Sequence, residues 1–488
     1  MIQPISSVDG VVEEDVVAEG NTSTSVQQKL NGVDDTHPIA VSALIHRSLH
    51  SPPPQVVSAK GQILTFSDGR QIWDTTCGAA VACLGYGNQR VQQAIIDQTA
   101  KFSYVNSMFF GTDVAEQLAN EVIRGTGGKM SKAYFLSSGS EAMDAAMKLA
   151  RQYYLEVTPA QPARINFIAR QGSYHGNTWG SLAMSGHVAR RKLFEPMLMT
   201  NIGRVSACYA YRGMKPGQTE AEYVQTLADE LDAEFQRLGP ETVIGFVAEP
   251  VVGATLGAVP AVPGYFQAMK KVCDKYGALL ILDEVMSGMG RCGSLHEWQS
   301  EGIVPDIQTM AKGLGAGYAP IAAVLANERV VDALYKGTGA YSHGHTYQAY
   351  PASCAAALEV QKIIREENLI EKVKSLGDYL GETLHELLDP HPHVGDVRGK
   401  GLMWGIEFVQ SKHDKSALPR SQNVALRLHE FALQPKYSIS LYPGSGSVDG
   451  VLGDHVLLAP AFTATREEIL KIAQLTRDAI FDFFESEG

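Results

Sequence analysis

Cysteines are few in this sequence, and none of them stands in a pattern that would use them together. Six cysteines are scattered through 488 residues without a Cys-x-x-Cys pair. Disulfide frameworks and zinc sites both depend on cysteines at short, paired spacings, so we expect neither disulfides nor a bound metal. We expect reduced thiols and a cytoplasmic protein; the cysteines are Cys77, Cys83, Cys208, Cys273, Cys292 and Cys354.

Long apolar runs and basic stretches are missing as well. A transmembrane helix needs roughly 20 apolar residues in succession, and no stretch of the sequence approaches that length. The first residues lack the basic and apolar segments of a signal peptide and the arginines of a mitochondrial transit peptide. The net charge is −12 and no basic stripe is present, which argues against nucleic-acid binding. We therefore expect no membrane and no nucleic acid as a partner.

The remaining composition is typical of a large globular enzyme. Residues 1–36 have no apolar period and no aromatic residue, and they predict a disordered or loosely docked tail that is a passive extension rather than a regulatory segment. The chain as a whole is 45% apolar and 19% charged, as in ordinary globular proteins. Its length leaves room for two or three domains with sizeable cores.

Two stretches carry the strongest chemical signal. Residues 278–285 (ALLILDEV) are apolar on all sides until they end in two carboxylates, which predicts a buried parallel strand. Chemistry in open α/β sheets lies at the carboxyl ends of such strands. Lys312 follows Asp283 by 29 residues and stands before a glycine-rich turn. A lysine that forms a Schiff base and a carboxylate that partners a pyridinium nitrogen suit pyridoxal 5′-phosphate, so we interpret Lys312 and Asp283 as catalytic.

These stretches resemble the class III (ω-type, subgroup II) aminotransferases of pyridoxal-phosphate fold type I. The resemblance extends from about Pro38 to the C-terminus, and its clearest motifs are LDEVMSGMGR at 282–291, PDI at 305–307 and AKGL at 311–314. It implies an α/β fold, with a large domain built on a mostly parallel, seven-stranded type of sheet flanked by helices and a smaller α+β domain. We expect the large domain at 76–345 and the small domain at 346–488, and we expect the N-terminal segment 37–75 to become part of the small domain.

A loop of small residues is the candidate phosphate site. Ser-Ser-Gly-Ser at 137–140 follows a short predicted strand and precedes a helical pattern with Glu141 in its first turn. Free backbone N–H groups and the helix dipole make such a helix start a site for anions. Taken alone, the serines are an ordinary helix cap. Beside Lys312, the resemblance assigns Gly139 and Ser140 to the cofactor phosphate.

The resemblance also assigns the groups around the cofactor ring. Tyr174 belongs to an aromatic-His-Gly motif after a strand, and an aromatic side chain in that place stacks on a flat ring. Val285 is expected on the opposite face of the ring. Glu249 ends another buried strand and is expected to support the network behind the cofactor. His175 is interpreted as structural, because Lys312 already supplies proton transfer.

Further residues are expected from a second subunit and from the substrate pocket. Thr346 lies in a Gly-His-Thr-Tyr segment that resembles the one by which family members reach the phosphate of the neighbouring subunit's cofactor. This implies a homodimer with shared active sites. The candidates for the substrate pocket near the glycine-rich loop are Tyr86, Tyr104, Phe109 and Phe110.

The sequence departs from the family pattern where relatives bind a substrate carboxylate. Many relatives that use α-amino acids carry an arginine on a late strand, or slightly earlier before Gly-Asp, and these positions hold Leu457 and Leu452. The glutamate that pairs with this arginine in some relatives is replaced by Ala254. The arginines that remain as alternative carboxylate ligands are Arg190, Arg191 and Arg291.

We therefore expect an aminotransferase that acts on a primary amine, either an ω-amine or a long-chain hydrophobic one, with an oxo acid such as pyruvate as the other substrate. The same scaffold supports racemase, decarboxylase, amino-lyase and aminomutase reactions, which stay open as alternatives. A non-catalytic binding protein of this fold is a further alternative. It is disfavoured because Asp283 and Lys312 are both present.

Overall fold

The computed structural model describes residues 42–487, so the predicted tail of residues 1–36 lies outside the described part of the chain. The chain divides into two compact units, Met1–Gln55 and Val56–Gly488. The described part of the first unit, residues 42–55, contains neither a helix nor a strand. All regular elements named below belong to the second unit.

Strands and helices alternate along most of the second unit. The strands are β1 Val56–Lys60, β2 Ile63–Phe66, β3 Gln71–Asp74, β4 Lys132–Leu136, β5 Asn166–Arg170, β6 Ile202–Val205, β7 Val243–Ala248, β8 Val251–Val252, β9 Val259–Pro260, β10 Leu279–Asp283, β11 Ile307–Met310, β12 Ala322–Ala326, β13 Val394–Lys400, β14 Met403–Phe408, β15 Ile439–Ser440, β16 Tyr442–Ser445 and β17 Asp454–Leu458.

The helices include several long ones that cover the sheets. They are α1 Cys77–Ala80, α2 Gln89–Lys101, α3 Asp113–Gly125, α4 Gly139–Glu156, α5 Trp179–Met184, α6 Val188–Arg191, α7 Ala210–Gly213, α8 Glu220–Leu238, α9 Tyr265–Lys275, α10 Glu297–Ser300, α11 Glu328–Lys336, α12 Pro351–Glu366, α13 Leu369–Leu388, α14 Val424–Ala432 and α15 Arg466–Glu487. Short 3₁₀ helices lie at Glu195–Met197, Pro240–Thr242, Lys312–Leu314 and Arg420–Gln422. Within residues 42–487, no helix is both long and apolar enough to cross a membrane.

The largest sheet has seven strands in the order β4-β12-β11-β10-β7-β5-β6. Strands β11, β10, β7, β5 and β6 are parallel to one another. Strand β12 is antiparallel to both β11 and β4, so β4 points the same way as the parallel strands. The predicted mostly parallel sheet is confirmed. Its parallel strands all bring their carboxyl ends to one edge, which is where such sheets bind ligands.

Strand β10 shows why this sheet is buried on both faces. Leu279 and Ile281 pack into a core with α4 on one face, whereas Leu280 and Leu282 pack into a core with α8 and α9 on the other. Successive side chains of a strand point to opposite faces, so a run of apolar residues without alternation fits only a sheet covered twice. The flanking helices that the sequence predicts are therefore the two cover layers.

Two four-stranded sheets complete the predicted α+β part. One has the order β13-β14-β17-β16, and in the other, β1-β2-β3-β15, an early strand pairs with a late one. Helices α12 to α15 share one apolar core with strands of both sheets. The fold class is thereby confirmed. The division at 37–75, 76–345 and 346–488 stays a prediction.

One stretch differs from the sequence-based expectation. The pattern at 394–407 predicts a single strand, whereas the structure has the antiparallel hairpin of β13 and β14. The turn includes Gly401, whose φ of +53° lies in the region that favours glycine. A Cβ at Gly401 would also come within 2.5 Å of the backbone of Cys292. This glycine is the local reason why the chain reverses.

Candidate active site

The predicted site residues follow strands of the large sheet that point in one direction. Loop 137–140 follows β4, Tyr174 follows β5, Glu249 follows β7, Asp283 ends β10 and Lys312 follows β11. Because these strands all run the same way, their carboxyl ends lie at the same edge of the sheet. The topology thus collects residues that are far apart in the sequence.

Asp283 is buried and held at both of its carboxylate oxygens. Its Oδ1 accepts hydrogen bonds from the backbone N–H of Val285 at 3.0 Å and from the hydroxyl of Thr309 at 3.3 Å. Its Oδ2 lies 2.8 Å from Nδ1 of His175. The side chain is 4% exposed. A carboxylate fixed in this way has a defined direction, as is needed to hold a ring nitrogen.

His175 and Thr309 are contacts that the sequence does not reveal. His175 was expected to be structural, and the structure shows that the group it contacts is Asp283 itself. Its other ring nitrogen, Nε2, is buried and has no hydrogen-bond partner among the described residues. The signal available in the sequence was the place of His175 next to Tyr174 in the aromatic-His-Gly motif.

Lys312 begins a short 3₁₀ turn just beyond β11, in a backbone conformation that non-glycine residues rarely adopt. Its φ is +42°, and such strain is retained where the surrounding structure imposes it, commonly at functional sites. Its amine has no hydrogen-bond or ion-pair partner within residues 42–487. Burial lowers the pKa of Lys312 below its usual 10.5, while the charges of Asp283 and Glu249 oppose that shift. A free amine with a lowered pKa suits a nucleophile and proton carrier.

Glu249 lies behind this pair in a buried ionic network. Burial raises the pKa of Glu249 to about 7, although His175 and Arg170 act in the opposite direction. The nearest guanidinium nitrogen of Arg170 is 3.9 Å from the Glu249 carboxylate, and Arg170 also donates to the Glu249 backbone carbonyl. The Oε2 atom of Glu249 has no hydrogen-bond partner among the described residues. Glu249 is therefore buried, and its charge acts on Lys312.

The predicted phosphate loop has the geometry of an anion site. Helix α4 begins at Gly139, and the Ser138 side chain caps it by accepting the N–H of Glu141 at 3.3 Å. The backbone N–H groups of Gly139 and Ser140 have no partner within residues 42–487, so they are available to an anion at the positive end of the helix. A Cβ added at Gly139 would lie 2.9 Å from a methyl group of Val285, which leaves space there only for glycine.

Asn177 joins this loop and was missed by the sequence reasoning. The Ser140 hydroxyl donates to the side-chain carbonyl of Asn177 at 3.0 Å and accepts the Asn177 backbone N–H at 3.1 Å. Gly176, which precedes Asn177, has a φ of +131°, and a Cβ added there would lie only 2.6 Å from the Ser140 hydroxyl oxygen. The loop after Tyr174 is thereby fastened to the phosphate loop. No local pattern around Asn177 signals this contact, because it joins two different strand ends.

Tyr174 and Val285, the residues expected on the two faces of the cofactor ring, contact other protein groups in this structure. Tyr174 is half-buried, and the guanidinium carbon of Arg190 lies 4.7 Å from the centre of its ring. Val285 is half-buried against the start of α4. The free N–H groups at Gly139 and Ser140, the fixed carboxylate of Asp283 and the unpaired amine of Lys312 together fit pyridoxal 5′-phosphate. Stacking by Tyr174 and packing by Val285 stay predictions.

The residues predicted for the substrate pocket and for the contact with a second subunit do not lie together in this chain. Tyr86 donates to Asp74 at 2.6 Å within the fold. Tyr104, Phe109 and Thr346 have exposed side chains, and the Tyr104 ring contacts Tyr347. The structure does not join any of them to Lys312 within one chain. Their roles stay predictions.

The two leucines at the positions of the missing arginine differ in their surroundings. Leu457 is 1% exposed and packs in an apolar cluster that also contains Ala254, Val251 and Met403. Leu452 lies in the loop before β17, where its N–H donates to Asp449 at 2.7 Å. Both positions of the expected ion pair, 457 and 254, thus lie in one apolar cluster.

Comparison with known proteins agrees with this geometry. The family model of class-III aminotransferases matches residues 45–475. An aminotransferase of Gibberella zeae is 59% identical over 89% of this chain and 85% of its own length. Gamma aminobutyrate transaminase 3 of Solanum lycopersicum is 33% identical over 86% of this chain and 78% of its own.

Solved structures share the fold over about nine tenths of this chain. A transaminase from a study of directed evolution by ancestral reconstruction superposes with a TM-score of 0.85 at 30% identity, covering 91% of this chain and 97% of its own. An (S)-enantioselective ω-transaminase from Thermomicrobium roseum superposes with a TM-score of 0.83 at 30% identity, over 90% of this chain and 96% of its own.

Fold and site together define a pyridoxal-phosphate enzyme of fold type I. Within that class, the chain belongs to the class-III aminotransferase family and uses pyridoxal 5′-phosphate as its cofactor. The resemblance inferred from the sequence motifs is thus confirmed.

Proposed function

We propose that this aminotransferase moves an amino group between a hydrophobic primary amine, ω- or long-chain, and an oxo acid such as pyruvate. The observation that carries the proposal is the cluster around Leu457 and Ala254, which is apolar where relatives place an arginine and a glutamate. A buried unpaired charge is costly, so such a cluster favours apolar substrate groups over carboxylates. The ω-transaminases among the related structures support the same substrate class.

The roles proposed for the chain's own residues follow from their contacts. When bound, the cofactor supplies an electron sink for negative charge at the substrate carbon. Asp283 would hold the ring nitrogen and keep a proton on it, and His175 and Thr309 fix the direction of its carboxylate. Lys312, as a neutral amine, would take the proton from the substrate carbon and deliver it to the C4′ carbon of the cofactor, which is the proton shift that transamination needs. Gly139 and Ser140 would bind the phosphate through their free backbone N–H groups.

We also propose that the active enzyme is a cytoplasmic homodimer with shared active sites. Thr346, Tyr104 and Phe109 support the dimer, because their side chains are exposed although the resemblance places them at a cofactor or a substrate. The large apolar side chains Met108, Phe109 and Phe110 are exposed side by side in the chain, which is typical of a protein-protein contact. The six cysteines are all free and buried, in keeping with a reducing compartment.

A half-reaction tests the proposed activity. The protein loaded with pyridoxal 5′-phosphate is mixed with single amines, and the absorbance of the cofactor reports its conversion to pyridoxamine 5′-phosphate. The panel contains long-chain and aromatic amines, α-amino acids and 4-aminobutyrate, the last because of the tomato relative. We expect conversion by hydrophobic amines in preference to α-amino acids.

Other outcomes of the same assay contradict the proposal in defined ways. A preference for 4-aminobutyrate or α-amino acids would reject the hydrophobic-amine specificity. A change of absorbance without pyridoxamine 5′-phosphate would indicate a racemase, decarboxylase, amino-lyase or aminomutase instead. A Lys312→Ala variant serves as the control, because it lacks the amine that the reaction needs.

A further inference from the structure

Arg190 lies against the ring of Tyr174, and its guanidinium forms neither an ion pair nor a hydrogen bond within residues 42–487. It belongs to helix α6, its guanidinium is exposed, and its carbon atom Cζ is 4.7 Å from the centre of the Tyr174 ring. Arginine holds carboxylates through paired N–H groups, and those of Arg190 are unused.

Arg191 and Arg291, the two other arginines expected from the sequence as alternative carboxylate ligands, already have partners within the fold. Arg191 donates to the backbone carbonyls of Ala183 and Ser185. Its Nε and Nη2 atoms donate to the two carboxylate oxygens of Glu195. Arg291 is 2% exposed and donates to the carbonyls of Leu402 and Pro460. Its remaining nitrogens, Nε and Nη2, have no partner but are buried away from solvent. A carboxylate cannot reach them without a rearrangement of the core.

The backbone that carries Arg190 is fixed, although the side chain is free. The His187 ring accepts the Arg190 N–H through Nδ1 at 3.4 Å, and its Nε2 lies 3.2 Å from the Ser445 carbonyl. Ser445 ends β16, immediately before the loop that contains Leu452. Gly450 of that loop packs so closely on α6 that a Cβ would lie 2.7 Å from Val188. Helix α6 is thus fastened to the loop in which some relatives carry a mobile arginine.

Arg190 is also electrostatically close to the reacting amine. It is one of the charges that lower the pKa of Lys312, in addition to the larger effect of burial. A cation that acts on Lys312 also attracts an anionic substrate to the site. Because it stacks on Tyr174 and has no acidic partner, it can leave the ring without breaking an ion pair.

We propose that Arg190 is the carboxylate anchor for the oxo acid, in place of the arginine missing at positions 452 and 457. The inference rests on the proposed function, in which one substrate is an acid and the other an apolar amine. In the amine half-reaction the guanidinium stays stacked on Tyr174, where the cation and the ring attract each other. In the oxo-acid half-reaction it turns to form paired hydrogen bonds with the carboxylate. One site thereby accepts both substrates without a charged group in its apolar cluster.

The first test is a binding measurement that needs no turnover. Titration calorimetry compares 3-phenylpropanoate with 3-phenylpropanamide, which has similar size but no charge, on the protein loaded with pyridoxamine 5′-phosphate, the form that receives the oxo acid. In Arg190→Ala we expect the acid to bind about 10- to 100-fold more weakly, the usual loss for a charge-assisted pair, while the amide changes by less than about two-fold. Arg190→Lys keeps the positive charge but lacks the paired N–H groups of arginine, so it should recover part of the affinity for the acid.

The second test uses the reaction. The protein loaded with pyridoxamine 5′-phosphate is mixed with pyruvate or with methyl pyruvate, the uncharged ester. Arg190→Ala should raise the KM for pyruvate selectively, by about 10- to 100-fold, and leave the ester within about two-fold. The matched control is Lys192→Ala, which removes an exposed cation two residues away and should change neither substrate.

Each remaining outcome overturns the proposal. Equal losses for the acid and its uncharged analogue would show that Arg190 only shapes the pocket through Tyr174. Unchanged acid binding in Arg190→Ala would show that another group holds the carboxylate. Failure of the proposed function is read separately, because it appears as a lack of amine conversion by the unaltered protein, whereas the acid and amide titrations do not depend on it.

Discussion

His175 and Asp283 form a buried pair in which Nδ1 lies 2.8 Å from Oδ2. An ionised carboxylate only accepts hydrogen bonds, so the N–H of His175 is the donor. This bond complements those from Val285 and Thr309 to the other oxygen. His175 therefore holds the Asp283 carboxylate in one direction. We propose that its task is to position Asp283, the residue expected to meet the ring nitrogen.

Replacing His175 with alanine tests this positioning role. We expect kcat to fall by about 10- to 100-fold, because a charge-assisted hydrogen bond to the key carboxylate is lost. The pH dependence of the absorbance of the bound cofactor should shift as well, which a purely structural defect would not cause. His385→Ala, at an exposed histidine of α13, is the control. A normal pH profile together with normal kcat in His175→Ala would contradict the role.

The raised pKa of Glu249 predicts how the stability of the cofactor-free protein depends on pH. The folded protein holds this proton up to about pH 7, whereas the unfolded chain releases it near the ordinary value of 4.5. The contribution of Glu249 to the free energy of unfolding is therefore lost as the pH rises between these values. In Glu249→Gln no such proton exists, so the Tm of the variant relative to the unaltered protein should increase from pH 5 to pH 8.

Scanning calorimetry at several pH values checks this trend. The matched control is Glu241→Gln, because Glu241 is an exposed carboxylate close to β7. It should show the same difference in Tm at every pH. A Glu249→Gln difference that is equally flat would show that Glu249 is ionised throughout, held by Arg170.

Gly139→Ala is predicted to weaken cofactor binding while the fold persists. The added Cβ would lie 2.9 and 3.0 Å from the two methyl groups of Val285, so either the phosphate loop or Val285 must shift. We expect the dissociation constant of pyridoxal 5′-phosphate to rise by about ten-fold. Gly111→Ala is the control, because no heavy atom lies within 4 Å of its added Cβ.

A double variant assigns the effect to the contact itself. Val285→Ala removes both methyl groups, so Gly139→Ala should cost less in this background than in the unaltered protein. Additive losses in the two variants would show that the two residues affect cofactor binding independently.

The sequence was sufficient to predict those elements that a local pattern of residues defines. The apolar run before Asp283 predicted a strand buried on both faces, and the small residues at 137–140 predicted a helix start. It was not sufficient for contacts made by packing between strand ends. His175 is 108 residues from Asp283, and the hydroxyl of Ser140 meets Asn177 at a distance of 37 residues in the chain. Such partners depend on the order of strands in the sheet, which no local pattern fixes.

Leu452→Arg is predicted to improve the use of α-amino acids. The position lies in a loop, so the new guanidinium is not forced into the core, whereas an arginine at Leu457 would be buried without a partner. In the half-reaction, conversion by α-amino acids should rise relative to conversion by hydrophobic amines. Val451→Arg, at the exposed neighbouring residue, is the control. An unchanged ratio in Leu452→Arg would mean that the loop does not face the substrate.

Mixing two inactive variants tests whether active sites are shared. Lys312→Ala removes the reacting amine, and Thr346→Glu places a negative charge where the partner's cofactor phosphate is expected, so each variant alone should be inactive. In a mixed dimer, one site combines both defects and the other has neither. If the two variants associate at random, about a quarter of the normal activity should return on co-expression. Recovery requires that Thr346 serves the neighbouring subunit. If Thr346 served its own subunit, every site would keep one defect and the mixture would stay inactive.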